Sequence, residues 1–305
     1  MSETGAALFG GLETGGSWCV CALGTGPEHI LAREQLPTTT PLETLARIVG
    51  FFQAAEAPAA IGVGAFGPVD LHTSSPHWGE VTRTPKPGWS NAVIGPVLQR
   101  ELGVPVRFDT DVAAAAIGEH RWGAGAGSDA LCYMTVGTGV GVGLLLGGRP
   151  WHGIVHPEVG HMRVPHDLLV DPFPGTCPYH GDCLEGLTCG PALEQRWGRP
   201  AEQLEEDHPA WELEAGYIAA ALANIVFTVG PDRIIVGGGV LGQATLLPRI
   251  RRRLRDLLGG YLQTPVLDPG LERYVVAPAL GDDAGVLGAI AMAESLAQEL
   301  SRRDT

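Results

Sequence analysis

The chain has 305 residues and a formal charge of −14, with 45% hydrophobic and 18% charged residues. This composition is that of a globular protein with room for one large domain or two moderate ones. The acidic balance argues against nucleic acid and anionic membranes as partners, because phosphate groups are bound by basic surfaces. An anionic ligand would have to be held locally, by backbone N–H groups or by a divalent cation.

The cysteines and the apolar runs indicate the cellular compartment of the protein. Two of the six cysteines belong to a cluster considered below. The other four, which lie in or beside apolar segments, are Cys19, Cys21, Cys132 and Cys189. This distribution predicts reduced thiols and no disulfide framework. No apolar run approaches the ~20 residues of a membrane span, and no secretion signal is recognisable, so we expect a soluble, cytoplasmic protein.

Strands and helices alternate in the first half of the chain. Residues 6–23 form two apolar runs around Gly15-Gly16, which predicts a tight β-hairpin. The spacing of apolar residues then predicts, in order, a helix over 40–55, a buried strand over 59–67, a short helix over 92–101 and a strand over 104–108. Residues 71–91 are irregular, and so long a stretch inside a compact domain is usually functional.

Two aspartates stand where the strand over 104–108 gives way to an Ala-rich helix. They are Asp109 and Asp111, on either side of Thr110. An aspartate at such a junction can cap the helix, or it can stand at the carboxyl end of the strand, where ligands bind. For either aspartate alone, capping is the commoner role.

The second half repeats the order of the first. Residues 131–146 again give a strand, a glycine turn with a hydroxyl residue and a strand, a weak echo of residues 13–16. The later predicted elements are a helix over 213–229, a strand over 233–236, a helix over 248–258, a strand over 274–277 and a C-terminal helix. This order predicts an α/β fold with two similar lobes, and a cleft between such lobes is a natural ligand site.

Glycine turns follow strands at three places and could bind an anion. They are Gly15-Gly16, the TVGTGVG segment over 135–141 and Gly237–Gly239. Without a Cβ atom, the backbone N–H groups of such a turn can approach a phosphate closely. An ordinary hairpin turn is the alternative, and for Gly15-Gly16 alone it is the better interpretation.

Four possible metal ligands are concentrated in residues 153–185. Cys177, His180 and Cys183 follow one another at a spacing of three, and His161 lies sixteen residues before Cys177. Two thiolates and two imidazoles form the complete tetrahedral set of a structural zinc site. The Gly and Pro residues around them predict a loop that a metal would order, the alternative being a surface loop that is merely rich in Cys and His.

Two carboxylates flank this cluster. Glu158 precedes His161 by three residues, and Glu185 follows Cys183 by two. Together with the second ring nitrogen of His161, they would suit a polyhydroxylated ligand. An equal alternative is that they only orient the metal ligands or are solvated.

Eight segments together resemble the ROK family of sugar kinases, and within it the bacterial fructokinases. They are ETGG at 13–16, SSP…TPKPGW at 74–89, DTD at 109–111, TVGTGVG at 135–141, HPEVGH at 156–161, CPYHGDCLEG at 177–186, IIVGGGV at 234–240 and GDDAG at 281–285. The likeness runs from about residue 8 to 295 in one register. The TPKPGW and CPYHGDCLEGL segments are typical of the fructokinase branch.

This resemblance implies the actin-like ATPase (RNase H-like) fold, with two lobes and a cleft between them. The smaller N-terminal lobe would comprise residues 1–111 and the last helix, about 288–303. The larger C-terminal lobe would comprise 112–287 and carry the zinc loop. Members of the family are commonly dimeric, so a homodimer is implied as well.

The resemblance also implies transfer of the γ-phosphoryl group of ATP, with Mg²⁺, to D-fructose, giving fructose 6-phosphate. Asp111 matches the catalytic base of the family. Its sugar contacts match Gly67, Thr110, Glu158, His161 and Glu185. Its structural zinc ligands match His161, Cys177, His180 and Cys183. Its ATP-binding segments match Gly15, Gly16, Ser17, Gly137, Thr138, Gly139, Gly237, Gly238 and Gly239.

Two segments, with three positions between them, depart from the family pattern. Ser17 and Trp18 stand where the opening motif usually reads Thr-Lys, so the hydroxyl is kept and the lysine charge is lost. Ala113 replaces an Asn that is common after the catalytic aspartate. The missing lysine charge at position 18 affects the contacts that the resemblance implies with the phosphate groups of ATP.

Four other functions can be compared with this expectation. A related ROK hexokinase for glucose, mannose or allose would share most sugar contacts, whereas the TPKPGW and Cys-x2-His-x2-Cys segments favour fructose. A regulatory ROK protein would carry an N-terminal helix-turn-helix, for which a first strand near Ala6 leaves no room, and its surface would be basic. A non-catalytic sugar-binding protein would not need Asp111. A zinc hydrolase would need an open coordination position, which four protein ligands do not leave.

Overall fold

The computed structural model describes residues 7–267 and 270–303, so Ala6, the first residue of the predicted hairpin, lies outside the described residues. The chain divides into two compact units. The first unit comprises Met1–Ala126, Arg149–His156 and Asp282–Thr305, and the second unit comprises Gly127–Gly148 and Pro157–Gly281.

The structure contains the predicted strands and helices at or near their expected places, together with a strand over residues 29–37 that was not predicted. The strands are β1 (Phe9–Thr14), β2 (Trp18–Gly26), β3 (His29–Pro37), β4 (Ala60–Ala65), β5 (Glu80–Val81), β6 (Ala92–Val93), β7 (Val106–Thr110), β8 (Ala130–Val136), β9 (Val140–Leu146), β10 (Arg149–Pro150), β11 (Arg233–Gly237) and β12 (Val275–Val276). The helices are α1 (Pro41–Ala54), α2 (Gly95–Leu102), α3 (Asp111–Trp122), α4 (Leu184–Thr188), α5 (Gly190–Trp197), α6 (Ala210–Thr228), α7 (Leu246–Leu258), α8 (Leu271–Tyr274) and α9 (Ala284–Arg303). Across the described ranges, no helix is long and apolar enough to cross a membrane.

A mixed sheet in the order β3–β2–β1–β4–β7 forms the centre of the first unit. The β1–β2–β3 part is antiparallel, whereas β4 and β7 run parallel to β1. The predicted hairpin at Gly15-Gly16 is confirmed, and the Gly15 N–H donates to the Trp18 carbonyl at 2.8 Å. The buried side chains of this sheet and of α1, such as Leu12, Ile48 and Val63, form the core.

Boundaries in the first unit differ from the prediction by up to three residues. The helix expected over 92–101 begins only at Gly95, because Ala92 and Val93 pair with β5 as a short strand. Pro96 fits the first turn of α2, where its missing N–H costs nothing. Strand β7 runs on to Thr110, since its pairing with β4 extends to the Ala65–Thr110 pair.

The second unit repeats the strand arrangement of the first. Its strands follow the order β9–β8–β11–β12, with β8 and β9 antiparallel and β11 and β12 parallel to β8. Strands β8, β9, β11 and β12 thus correspond to β1, β2, β4 and β7. Helices α6 and α7 pack together, and their inner faces, with Ile218, Leu222 and Ile250, belong to the core of this unit. The weak sequence similarity between ETGG and TVGTGVG is therefore accompanied by the same order of strands in the two units.

Helix α9 lies very close to its neighbours in the first unit, packed against both the sheet and α3. A Cβ atom at Gly288 would lie 1.6 Å from the carbonyl oxygen of Ala114 in α3. A Cβ atom at Gly62 in β4 would lie 1.9 Å from the carbonyl oxygen of Ala289. Both obstacles are backbone atoms, which cannot rotate away, so only glycine permits this approach.

We expect Gly288→Ala to lower the stability of the protein by about 1–3 kcal/mol, the usual cost of overpacking. Gly216→Ala in α6 is the matched control, because a Cβ atom there would meet nothing within 4 Å. A helix gains about 0.5–1 kcal/mol when an interior Gly becomes Ala, so this variant should be more stable. Thermal unfolding followed by circular dichroism measures both, and a Gly288→Ala midpoint at or above the wild-type value would contradict the packing described.

Candidate functional site

Three parallel strands of the first unit end at one edge of its sheet. Thr14, Ala65 and Thr110, at the ends of β1, β4 and β7, lie side by side in the strand register. The chain therefore leaves the sheet at this edge three times. It does so into the turn at Gly15, the Gly67-Pro68 segment and helix α3. The carboxyl edge of parallel strands is where α/β proteins bind ligands.

Helix α3 begins on this edge, and Thr110 caps it. The Thr110 hydroxyl accepts a hydrogen bond from the Ala113 N–H at 3.1 Å. The capping role that the sequence favoured for Asp109 or Asp111 therefore belongs to the threonine between them. Asp111 is the first helical residue, and its carboxylate accepts from the Val112 N–H at 2.8 Å. Burial raises the pKa of Asp111 to about 6, against the lowering effect of the Val112 hydrogen bond.

Asp109 is buried behind this edge and has a partner that the sequence did not suggest. Its Oδ1 atom accepts from the Thr110 N–H at 2.7 Å and lies 3.1 Å from Nε2 of His152. The hydrogen bond to Asp109 raises the pKa of His152. Nearby in sequence, His156 accepts from the Val69 N–H at 3.1 Å. The segment from 149 to 156 is thus bonded to Asp109, in β7, and to Val69, four residues beyond the end of β4.

Glu13 is a second carboxyl group at this edge, and no role was predicted for it. It lies against the N-terminus of α9, where a Cβ atom on Gly285 would be 2.3 Å from its Cδ atom. Burial and, next, the charge of Asp111 raise the pKa of Glu13 to about 8, while a backbone hydrogen bond from Val286 lowers it in part. Its place on β1 directly before a glycine turn is the sequence signal that could have identified it. Two crowded carboxyl groups provide oxygen ligands of the kind that Mg²⁺ prefers.

The glycine turn after β1 is held from outside by Thr38. The Thr38 hydroxyl donates to the Gly15 carbonyl at 2.8 Å, and the Thr38 N–H donates to the Ser17 carbonyl at 2.9 Å. These bonds give two carbonyl groups of the turn a donor. The geometry leaves the turn able to bind an anion with its N–H groups.

Two further glycine turns adjoin one another in the second unit. Gly137 donates to the Gly139 carbonyl at 2.9 Å and accepts from the Gly190 N–H at 2.7 Å. A Cβ atom on Gly137 would lie 3.8 Å from the nitrogen of Gly239, so the two turns are close enough to contact one ligand. Gly238 has φ +95°, a conformation that glycine adopts without strain. Thr138 is exposed at the tip of the first of these turns.

The four predicted metal ligands come together in the second unit. All ligand atoms of His161, Cys177, His180 and Cys183 lie within 4.8 Å of one another. The Cys177 sulfur lies 3.7 Å from Nδ1 of His161 and 3.6 Å from Nδ1 of His180. The Cys183 sulfur lies 3.6 Å from Nδ1 of His161. Ordinary Zn–S and Zn–N bond lengths in a tetrahedron place sulfur and nitrogen about 3.6 Å apart, so the donor set fits zinc.

Backbone bonds hold this cluster together. Cys177 and Gly181 exchange two hydrogen bonds, of 3.2 and 2.9 Å, which close the loop between the second and third ligands. The Leu184 N–H donates to the Met162 carbonyl at 2.9 Å, which joins the residue after Cys183 to the residue after His161. With Nδ1 facing the cluster, the Nε2 atom of His161 is directed away from it.

The two glutamates differ in their settings. Glu185, in the first turn of α4, accepts from the Val140 N–H at 3.0 Å. A Cβ atom on Gly139 would lie 2.8 Å from its Oε2 atom, so Glu185 lies against the glycine turn. Glu158 is exposed and precedes the 3-10 turn Val159–His161. The predicted site residues therefore form one group on each unit, with Gly15, Gly67, Thr110 and Asp111 on the first and the metal cluster, Glu158, Glu185 and two glycine turns on the second.

Comparisons with known proteins place these residues in context. The sequence profile of the ROK family matches residues 9–295. A fructokinase from Zymomonas mobilis is 40% identical over 94% of this chain and 96% of its own length.

Two solved structures match nearly the whole chain. A ROK hexokinase from Thermus thermophilus is 27% identical with a TM-score of 0.78, covering 96% of this chain and 99% of its own. A ROK family glucokinase from Streptomyces griseus, in complex with glucose and AMPPNP, is 26% identical with a TM-score of 0.75, covering 95% and 100%.

Proposed function

The chain belongs to the ROK family, and on that basis we propose that it is a fructokinase that transfers the γ-phosphoryl group of ATP to D-fructose. Its fold is the actin-like ATPase (RNase H-like) fold that the sequence resemblance implied. We propose fructose as the sugar because the chain is 40% identical to a fructokinase over nearly its full length. The ROK hexokinase and the glucokinase are more distant, at 27% and 26%.

Asp111 is the proposed general base. Phosphoryl transfer needs a positioned nucleophile and neutralised phosphate charge more than covalent chemistry from the protein. A carboxylate with a pKa of about 6 is ionised at neutral pH yet basic enough to accept the proton of an attacking hydroxyl. On fructose, the hydroxyl group that attacks would be the one on carbon 6, which gives fructose 6-phosphate.

We propose that Gly67, Thr110, Glu158, His161 and Glu185 hold the hydroxyl groups of the sugar. A carboxylate accepts hydrogen bonds from hydroxyl groups, and a metal-bound imidazole still has a donor on its other nitrogen. Zinc at His161, Cys177, His180 and Cys183 would order the loop and fix the orientation of the His161 ring. Its four protein ligands leave no open position, which supports a structural role for it.

The nucleotide would be held by the glycine turns. The proposed ATP-binding residues are Gly15, Gly16, Ser17, Gly137, Thr138, Gly139, Gly237, Gly238 and Gly239. N–H groups at such turns bind phosphate oxygens, and Glu13 would provide a carboxylate oxygen of the kind that suits Mg²⁺. Mg²⁺ would neutralise triphosphate charge that this acidic protein cannot. Binding of AMPPNP, an ATP analogue, by the related glucokinase supports this part of the proposal.

A hexose panel tests the proposed activity. Purified protein is given MgATP and equal concentrations of fructose, glucose, mannose or allose, and ADP release is followed with zinc content measured on the same preparation. We expect kcat/KM to be highest for fructose and zinc to be present at one atom per chain. A higher value for glucose, mannose or allose would favour the hexokinase alternative, and no phosphorylation of any sugar would favour a non-catalytic one.

Cytoplasmic location and a homodimer are the remaining parts of the proposal. All six cysteines are buried free thiols, as expected in a reducing compartment. The dimer is implied by the family resemblance, and light scattering of the purified protein would measure it.

A further inference from the structure

One lysine, Lys86, stands among the 20 basic residues of this chain, and the other nineteen are arginines. Because every other basic position is an arginine, the lysine at position 86 calls for a specific reason. Lysine carries a compact charge with three freely rotating donors, whereas arginine offers a broad planar fork. Lys86 lies in the irregular segment over 71–91, outside both groups of candidate site residues.

The segment around Lys86 is anchored in the core of the first unit. Trp89, three residues further on, is fully buried, and its ring packs edge-on against Phe66. The Trp89 indole N–H donates to the Thr39 carbonyl at 2.8 Å. Thr39 follows Thr38, which holds the Gly15–Ser17 turn. Thr39, which binds the loop through Trp89, and Thr38, which holds the glycine turn, are therefore consecutive residues.

This anchoring places the Lys86 ammonium group on the glycine turn, where it donates a hydrogen bond to the Gly16 carbonyl. The carbonyls of Gly15 and Ser17 already accept from Thr38. Every carbonyl of the turn thus has a donor. Within residues 7–267 and 270–303, the N–H groups of Gly16 and Ser17 have no hydrogen-bond acceptor.

The charge of Lys86 is not neutralised by any residue whose position the structure describes. Among the residues with described positions, no carboxylate forms an ion pair with it, and its hydrogen bond goes to a neutral carbonyl. An ammonium group has three donors, so two remain for another partner. The Asp111 carboxylate, ionised at neutral pH, makes the same edge of the sheet negative, and an approaching triphosphate therefore needs a positive group at this point.

We propose that Lys86 binds a phosphate oxygen of the nucleotide at the Gly15–Ser17 turn and supplies the positive charge that Trp18 does not. This inference rests on the proposed kinase function, because that function is what brings a triphosphate to the turn. Lys86 would be a nucleotide-binding residue contributed by a distant loop.

Substitution of Lys86 tests the proposal. We expect Lys86→Met to lower kcat/KM for ATP at least tenfold and to weaken AMPPNP binding, measured by calorimetry, by a similar factor. Lys86→Arg should restore only part of either value. Arg83→Met is the matched control, because it removes the same charge from the same exposed segment and should change neither value more than twofold. Thermal midpoints of all variants show whether each one is folded.

The single lysine also permits a chemical test. An N-hydroxysuccinimide ester acylates lysine amines, and peptide mapping reports the modified fraction of Lys86. We expect MgAMPPNP to protect Lys86 from acylation, with fructose alone giving no protection, and the acylated enzyme to lose affinity for AMPPNP.

Two results would overturn the inference. One is a folded Lys86→Met variant that binds AMPPNP within twofold of wild type, and the other is acylation of Lys86 at the same rate with and without the nucleotide. Both use nucleotide binding as the readout. A failure of the inference therefore differs from a failure of the fructokinase proposal, which would appear as wild-type protein that phosphorylates no fructose.

Discussion

Replacing Asp111 by Asn is expected to lower kcat for fructose phosphorylation by about 10²–10⁴-fold, the range that general base catalysis supplies. Asparagine has nearly the same shape and can still accept from the Val112 N–H, so helix α3 should remain intact. Its amide cannot take up the proton of the attacking hydroxyl. The KM for fructose should change much less than kcat, because the loss lies in the transition state. Steady-state kinetics with saturating MgATP measure both.

The pH dependence of the wild-type enzyme provides the control for this variant. With the pKa of Asp111 raised to about 6, the base is protonated, and therefore inactive, below that pH. We expect kcat/KM for fructose to fall about tenfold for each pH unit below 6 and to level off above it. The residual activity of Asp111→Asn should lack this acidic limb. If Asp111→Asn keeps near-normal kcat at saturating fructose, Asp111 is not the base.

Removal of the proposed zinc is expected to give the second largest effect. Cys183→Ser should release the metal and raise the KM for fructose at least tenfold, because His161 then has no fixed orientation and the loop loses its main support. Structural zinc contributes about 10–16 kcal/mol of binding energy in zinc-finger peptides, so a marked fall in the thermal midpoint is also expected. Metal analysis, sugar kinetics and thermal unfolding on one preparation measure all three.

Cys189→Ser is the matched control for the zinc experiment. Cys189 is buried six residues after Cys183, but it is not among the four clustered ligands. Its sulfur lies 3.8 Å from the Thr176 hydroxyl, a contact that serine can retain in part. This variant should keep its zinc and its KM for fructose. If a chelator strips zinc from the wild-type protein and sugar binding does not weaken, the positioning role proposed for the metal is wrong.

Much of the fold could be predicted because it depends on local pattern. Helix α1 was expected over 40–55 from its apolar spacing, and it covers Pro41–Ala54 behind a Thr40 cap. The metal cluster was equally accessible, since the spacing of Cys177, His180 and Cys183 is written in the sequence. Ala92 and Val93 were assigned to a helix wrongly, because their pairing with β5 is a tertiary contact that no local pattern reveals.

The site residues that were missed depend on contacts between distant parts of the chain. His152 meets Asp109 across 43 residues, and Lys86 meets Gly16 across 70. No spacing of residues in the sequence predicts either of these two contacts. Glu13 was visible before its glycine turn, but its raised pKa follows from α9 and Asp111, which only the folded sheet brings near.

The position of α9 has a consequence for the order in which the chain can fold during synthesis. This helix emerges from the ribosome after every other described element, yet it packs on β1, β2 and β4. Until it arrives, the close-packed face at Gly62 is open to water, whereas the second unit already has all its strands. The second unit therefore has its complete set of strands before the first unit is complete, and it can fold first, since domains generally fold as units as they emerge. A released chain that ends before Ala284 would retain every described strand of the second unit and would lack the helix that covers the sheet of the first.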